Sequence, residues 1–195
     1  MFIFHEVLTY GVYQVQPKWL QRRPETIVDL GANIGLTSLF MASQYSSAKI
    51  VAVEPHPESA ALLRHNLGCL GQRARVWEAA VSDHTGEARL NLANEAYNAS
   101  LLRESARHVQ VRAVSMNEIL GKEQISRIDI LKIDIEGAER NLLAHSPVWL
   151  KKVGFMMIEM HEGYGFPELT RDLEPAGLAV HRQGIAHAIA IRQTR

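Results

Sequence analysis

Apolar and polar positions along the chain fall into short blocks with two different periods. Residues 26–30, 49–54, 128–135 and 154–162 are nearly continuous apolar runs, the pattern of parallel strands buried on both faces. Residues 34–45 and 57–67 instead place apolar residues at helical spacing. Ala60, Ala61, Leu63 and Leu67 mark the buried side of the second, and Pro57 stands at its first helical position. Residues 74–81 read as a third strand, with Ser82 and Asp83 at its end. Residues 87–92 and 109–114 alternate with period two, so 86–114 reads as an insertion of two short strands around a polar loop at 94–105. Ser115-Met116-Asn117-Glu118 is a capping box opening a short helix. Glu136-Gly137 turns into another helix, which runs through Leu143 and on towards Trp149 after a break at Pro147. A helix over 167–175 and two strands over 178–181 and 187–191, joined at Gly184, close the chain. Strand and helix therefore alternate, which predicts an α/β fold: a doubly wound, mostly parallel seven-stranded sheet ending in an antiparallel hairpin. The whole of 1–195 reads as one domain. Residues 1–24 read as a packing segment that reaches over the pocket, with Tyr10 and Tyr13 as packing residues or, alternatively, as lining of an acceptor site.

Composition narrows the partners. Of 195 residues 47% are hydrophobic, and 21 basic side chains balance 21 acidic ones. No global charge draws the chain to nucleic acid or to an anionic membrane, so a small molecule is the expected partner. Cys69 is the sole cysteine, which excludes an intrachain disulfide; it reads as buried filler in a reducing compartment. With no run of membrane-span length and no basic-then-apolar leader, the cytoplasm is the expected location.

The chemistry starts at Asp29-Leu30-Gly31-Ala32-Asn33-Ile34-Gly35, where the first strand turns into the first helix. Such a turn aims backbone N–H groups and the positive helix end at one place. In an open α/β sheet that place is the ligand crevice. A dinucleotide fingerprint needs a middle glycine to seat a pyrophosphate; Asn33 stands there, and Asp29 would repel phosphate. A nucleoside with a cationic amino-acid tail fits better. Glu54 ends the second strand, where a carboxylate accepts both ribose hydroxyl protons. Asp83, beside Ser82, meets the adenine edge or forms a turn. The cofactor-binding set is thus Asp29, Gly31, Asn33, Gly35, Glu54, Ser82 and Asp83.

The second informative stretch is Ile128-Asp129-Ile130-Leu131-Lys132-Ile133-Asp134-Ile135-Glu136-Gly137. A lysine inside a buried strand needs an anionic partner, with Asp29 or Glu159 as candidates. Asp134 falls at the strand's carboxyl end. Glu159 and His161 share one face at the end of the next strand. Asp134 and His161 are the candidate proton acceptors, with Glu159 orienting His161 or pairing with Lys132. Asp134, Glu159 and His161 also make a lesser candidate for a divalent ion; the reading assigns no metal.

The Asp29–Gly35 turn resembles the first motif of class I S-adenosylmethionine (SAM) dependent methyltransferases. Together with Val53-Glu54-Pro55, Val81-Ser82-Asp83, Gly86-Glu87 and above all Leu131-Lys132-Ile133-Asp134-Ile135-Glu136-Gly137-Ala138-Glu139, it is similar to the FkbM-type methyltransferases. Tyr97-Asn98-Ala99-Ser100-Leu101 departs from the Gly-Asn-Ser-Ser-Leu frequent in that family. The resemblance implies a Rossmann-like fold, SAM as cofactor with S-adenosyl-L-homocysteine as product, and methylation of a hydroxyl oxygen on a natural product or sugar. The alternatives are a SAM- or nucleoside-binding protein without catalysis, an N-methyltransferase, and a nicotinamide-dependent oxidoreductase, which Asn33 opposes.

Overall fold

The computed structural model describes residues 14–91, 108–144, 147–161 and 163–193. Its central sheet is built from β1 (Thr26–Leu30), β2 (Lys49–Glu54), β3 (Ala74–Glu78), β7 (Ile128–Ile133), β8 (Val153–Glu159), β9 (Leu178–Gln183) and β10 (His187–Arg192). The strand order is β3-β2-β1-β7-β8-β10-β9. All neighbours are parallel except the β8/β10 and β10/β9 pairs. The doubly wound sheet and antiparallel closing hairpin expected from the sequence are therefore present. The order reverses at β1, whose neighbours are β2 and β7, so the crevice at the switch point opens beside the β1 carboxyl end.

The helices that connect these strands are α1 (Leu36–Gln44), α2 (Pro57–Leu67), α3 (Met116–Lys122), α4 (Glu139–Leu143) and α5 (Phe166–Leu173). Ser115 caps α3 by accepting the Glu118 N–H at 3.2 Å, as the capping box predicts. One core lies on each face of the central strands. Val28, Leu30, Leu131, Ile133, Met156 and Ile158 belong to one; Ile27, Ile130, Phe155 and Met157 belong to the other. The two-residue period of a strand separates them. Trp19 stacks on Phe155 with ring centroids 5.8 Å apart, and Asp129 accepts the backbone N–H groups of Glu25 and Thr26. Those contacts tie the approach to β1 against β7. Among the described residues, no helix is long and apolar enough to cross a membrane.

Three readings change. The run 74–81 is not one strand: β3 stops at Glu78, and Ala80–Ser82 forms β4 in a separate three-stranded sheet with β5 (Gly86–Asn91) and β6 (His108–Ser115), in the order β4-β6-β5. The chain leaves the main sheet at Ala79, whose N–H donates to the Glu54 carbonyl at 3.1 Å. The helix after Glu136-Gly137 ends at Leu143, and Trp149 sits in a separate 3-10 turn, Val148–Lys152. Cys69 is exposed on the turn after α2 rather than buried. Tyr10, Tyr13, the remainder of the first thirteen residues and the loop at 94–105 lie outside the described residues.

Candidate active site

The turn after β1 is shaped by close backbone packing. Gly31 (φ 73°) lies so near β7 that a Cβ there would stand 1.7 Å from the Asp134 carbonyl oxygen. Only glycine fits. Gly31 and Ala32 both donate to the Val53 carbonyl at 3.0 Å. Asn33 adopts the left-handed region (φ 51°), which Asn tolerates better than most residues. That conformation directs its N–H to Glu54 Oε2 at 2.8 Å, while Glu54 Oε1 accepts the His56 N–H, also at 2.8 Å. The Asn33 N–H therefore serves a carboxylate where a dinucleotide fold would bind phosphate. Burial pushes the Glu54 carboxyl up to about 7, against the opposing pull of those two hydrogen bonds.

The cleft at this turn encloses about 620 Å³, open to solvent. Its floor is Gly31, Asn33 and Glu54; Ala79, Val81 and Leu90 line one wall, and Asp134 and Glu136 the other. Of the residues expected to bind a cofactor, Gly31, Asn33 and Glu54 face the cleft. Asp29 and Gly35 act from behind it. Asp29 is buried; its Oδ2 accepts the Ser38 hydroxyl at 2.7 Å and its Oδ1 lies 3.2 Å from Lys132 Nζ. Gly35 (φ 90°) passes so near Leu63 that a Cβ would meet it at 2.6 Å. Ser82 and Asp83 do not line the cleft. Asp83 is 65% exposed, paired with His84 at 2.6 Å, and accepts the Ser82 hydroxyl. The break between β3 and β4 gives their place to Ala79 and Val81.

Lys132 is the buried cation of the site. Register places it opposite Asp29. Its Nζ donates to the Gly31 carbonyl at 2.6 Å and lies 3.4 Å from Asp134 Oδ2. It thus links the cofactor turn to the tip of β7. Of the two partners expected for it, Asp29 makes the close contact; the Glu159 carboxylate lies 3.4 Å from His187 Nε2 across the β8/β10 pair and feels the Lys132 charge as a smaller influence. The hydrogen bond from His187 holds Glu159 below the usual carboxylate range.

His161 is gripped by carboxylates, and Glu139 rather than Glu159 orients it. Glu139 Oε1, fully buried, lies 2.9 Å from His161 Nδ1 and also accepts the N–H groups of Ile135 and Gly137. His161 Nε2 lies 3.9 Å from Asp134 Oδ1 and 3.6 Å from Glu136 Oε2. Burial alone would lower the imidazole, but Glu139, Glu136 and Asp134 outweigh it and raise it to about 9. Glu136 and Glu139 were visible in the sequence only as parts of a motif. Glu136 reaches His161 because it takes a left-handed conformation (φ 52°) just beyond β7.

Comparison with known proteins agrees with this geometry. The profile of the FkbM methyltransferase domain matches residues 29–176. The methyltransferase sdnD of Sordaria araneosa is 30% identical over 93% of this chain and 83% of its own. The 31-O-demethyl-FK506 methyltransferase FkbM of Streptomyces tacrolimicus is 27% identical over 73% of this chain and 67% of its own. A solved methyltransferase FkbM from Methylobacillus flagellatus KT superposes with a TM-score of 0.60 at 15% identity. That match covers 95% of this chain and 47% of the solved one, so about half of the solved chain has no counterpart here. The turn, the acidic β2 tip and the charged β7 and β8 tips lie where these proteins share a domain, and the chain belongs to the FkbM family of SAM-dependent methyltransferases.

Proposed function

We propose that this protein transfers a methyl group from SAM to a hydroxyl oxygen of a small molecule, a natural product or a sugar. One juxtaposition carries the reading: Gly31, Asn33 and Glu54 share a single cleft with Asp134 and Glu136, and His161 stands behind those two acids. The residues present fit the cofactor. A glycine whose Cβ position is filled leaves the turn open, and a buried carboxylate at the β2 tip suits the two ribose hydroxyls. Gly31 and Asn33 would flank the ligand, with Ala79, Val81 and Leu90 against the base. When bound, SAM supplies a methyl group on sulfur, which keeps the bonding electron pair as the acceptor oxygen takes the carbon.

The chain's own residues do the rest. Holding the acceptor oxygen in line contributes on the order of 7 kcal/mol in favourable cases. Asp134 takes the hydroxyl proton, which must leave as the new O–C bond forms. His161, fixed by Glu139, presents Nε2 towards the same oxygen. Oxygen as the acceptor atom is supported by the Streptomyces tacrolimicus relative, named for methylation at a 31-O position.

The test pairs calorimetry with SAM and a screen of metabolite extracts using labelled methyl donor. Asp134→Ala should bind SAM within about threefold of the parent and lose turnover by roughly a hundredfold or more. Unchanged turnover would remove Asp134 from its role, and failure of the parent protein to bind SAM would overturn the reading.

A further inference from the structure

Three ligand-type atoms converge at the tips of β7 and β8. One carboxylate oxygen each from Asp134 and Glu136 and one ring nitrogen of His161 all lie within 4.8 Å of one another, and all three residues are partly buried. The two measured N···O separations, 3.6 and 3.9 Å, exceed a hydrogen bond. Ligands about 2.1 Å from one ion stand roughly 3 to 3.5 Å apart, so a small inward movement of the carboxylates closes the set.

The far side of the ring is built to match. A metal-binding imidazole gives its other nitrogen to a carboxylate, which fixes the ring's orientation. Glu139 stands in that place, fully buried and anchored by two backbone N–H groups. Its second oxygen, Oε2, is buried with no hydrogen-bond donor among the described residues. Three carboxylates surround one imidazole, and the nearby Lys132 is already shared between Asp29 and Asp134.

We propose that Asp134, Glu136 and His161 form a divalent-cation site that holds the oxygen of the methyl acceptor, with Glu139 as the positioning residue behind His161. This replaces the metal-free site expected from the sequence and rests on the reading of these strand tips as the acceptor side. One nitrogen and two carboxylate oxygens suit Mn²⁺, Co²⁺ or Zn²⁺ better than Mg²⁺, which favours oxygen ligands and retained water. Three protein ligands leave positions on the ion for the acceptor. A hydroxyl bound there would give up its proton more readily than one in water, the proton passing to the Asp134 carboxylate oxygen that does not hold the ion, and neighbouring hydroxyls on a sugar or polyol would occupy two positions at once.

The test titrates Mn²⁺ into the purified full chain without SAM, following free Mn²⁺ by electron paramagnetic resonance and heat by calorimetry. One ion should bind per chain. Glu136→Gln and His161→Ala should each weaken it by at least about tenfold, and Glu139→Gln by about tenfold. Thermal unfolding of Glu136→Gln followed by circular dichroism should stay cooperative with a parental far-ultraviolet spectrum, which shows that the variant is folded. No Mn²⁺ binding up to millimolar concentration overturns the proposal, as does binding that neither Glu136→Gln nor His161→Ala weakens. Either result leaves the methyltransferase reading intact as long as the parent protein binds SAM.

Discussion

On the cofactor side of the cleft, backbone holds the groups in place. Gly31 and Ala32 share the Val53 carbonyl, and Glu54 is pinned by the N–H groups of Asn33 and His56. On the side proposed to take the acceptor, side chains hold side chains: Glu139 fixes His161, and Lys132 stands between Asp29 and Asp134. A backbone-built site tolerates no change of shape but depends little on any neighbour's charge. A site built from buried charges keeps its shape only while each charge retains its partner. At Gly31 the failure should be steric, at the Lys132 cluster electrostatic, and Glu54 is the point where the first face also depends on charge.

The largest effect should come from Gly31→Ala. The added Cβ meets the Asp134 carbonyl at 1.7 Å in a left-handed backbone, and displacing that turn by an ångström should weaken SAM binding by roughly a hundredfold or more. Calorimetry checks it, and near-parental affinity would show that the turn is not built by close packing. Lys132→Met preserves length and removes the charge, leaving buried Asp29 without its cation. A loss of about 3 kcal/mol is expected in denaturant unfolding, whereas a surface pair such as Arg64–Glu78 contributes under about 1 kcal/mol.

The third prediction concerns pH. Glu54 must be ionised to accept both ribose hydroxyls, and its carboxyl in the free protein is raised to about 7. Above that pH the proton is already gone; below it, binding must first expel the proton. SAM affinity should therefore be flat above pH 8 and about tenfold weaker at pH 6, and Glu54→Gln should lower affinity and flatten the profile. The smallest effect separates the sequence reading from the structure: Asp83→Asn should change SAM affinity by less than about twofold, because Asp83 points to solvent and His84.

How legible each region was follows from how it is built. The parallel strands and the acidic tip of β2 could be read because buried parallel strands leave apolar runs and the acid falls where one ends. The pairing of Lys132 with Asp29 could be inferred because a buried lysine requires an anion and the two strands are neighbours. The exchange of Glu159 for Glu139 could not. Glu159 and His161 share a strand face, but the ring is held by the opening of α4, an approach that only the fold determines. Residues 74–81 were read as one strand because Trp77-Glu78-Ala79-Ala80-Val81 contains no glycine or proline to announce that the chain passes from one sheet to another there.

The contact between Gly31 and the Asp134 carbonyl has a bearing on how this scaffold can be retuned. The backbone of residue 134 fills the space beside residue 31, so the tip of β7 cannot move towards the turn without narrowing the cleft. Altered preference for a methyl acceptor must come from exchanging side chains along the outer rim, around Glu136, His161 and the β9–β10 bend, while the spine that carries residue 134 stays where it is.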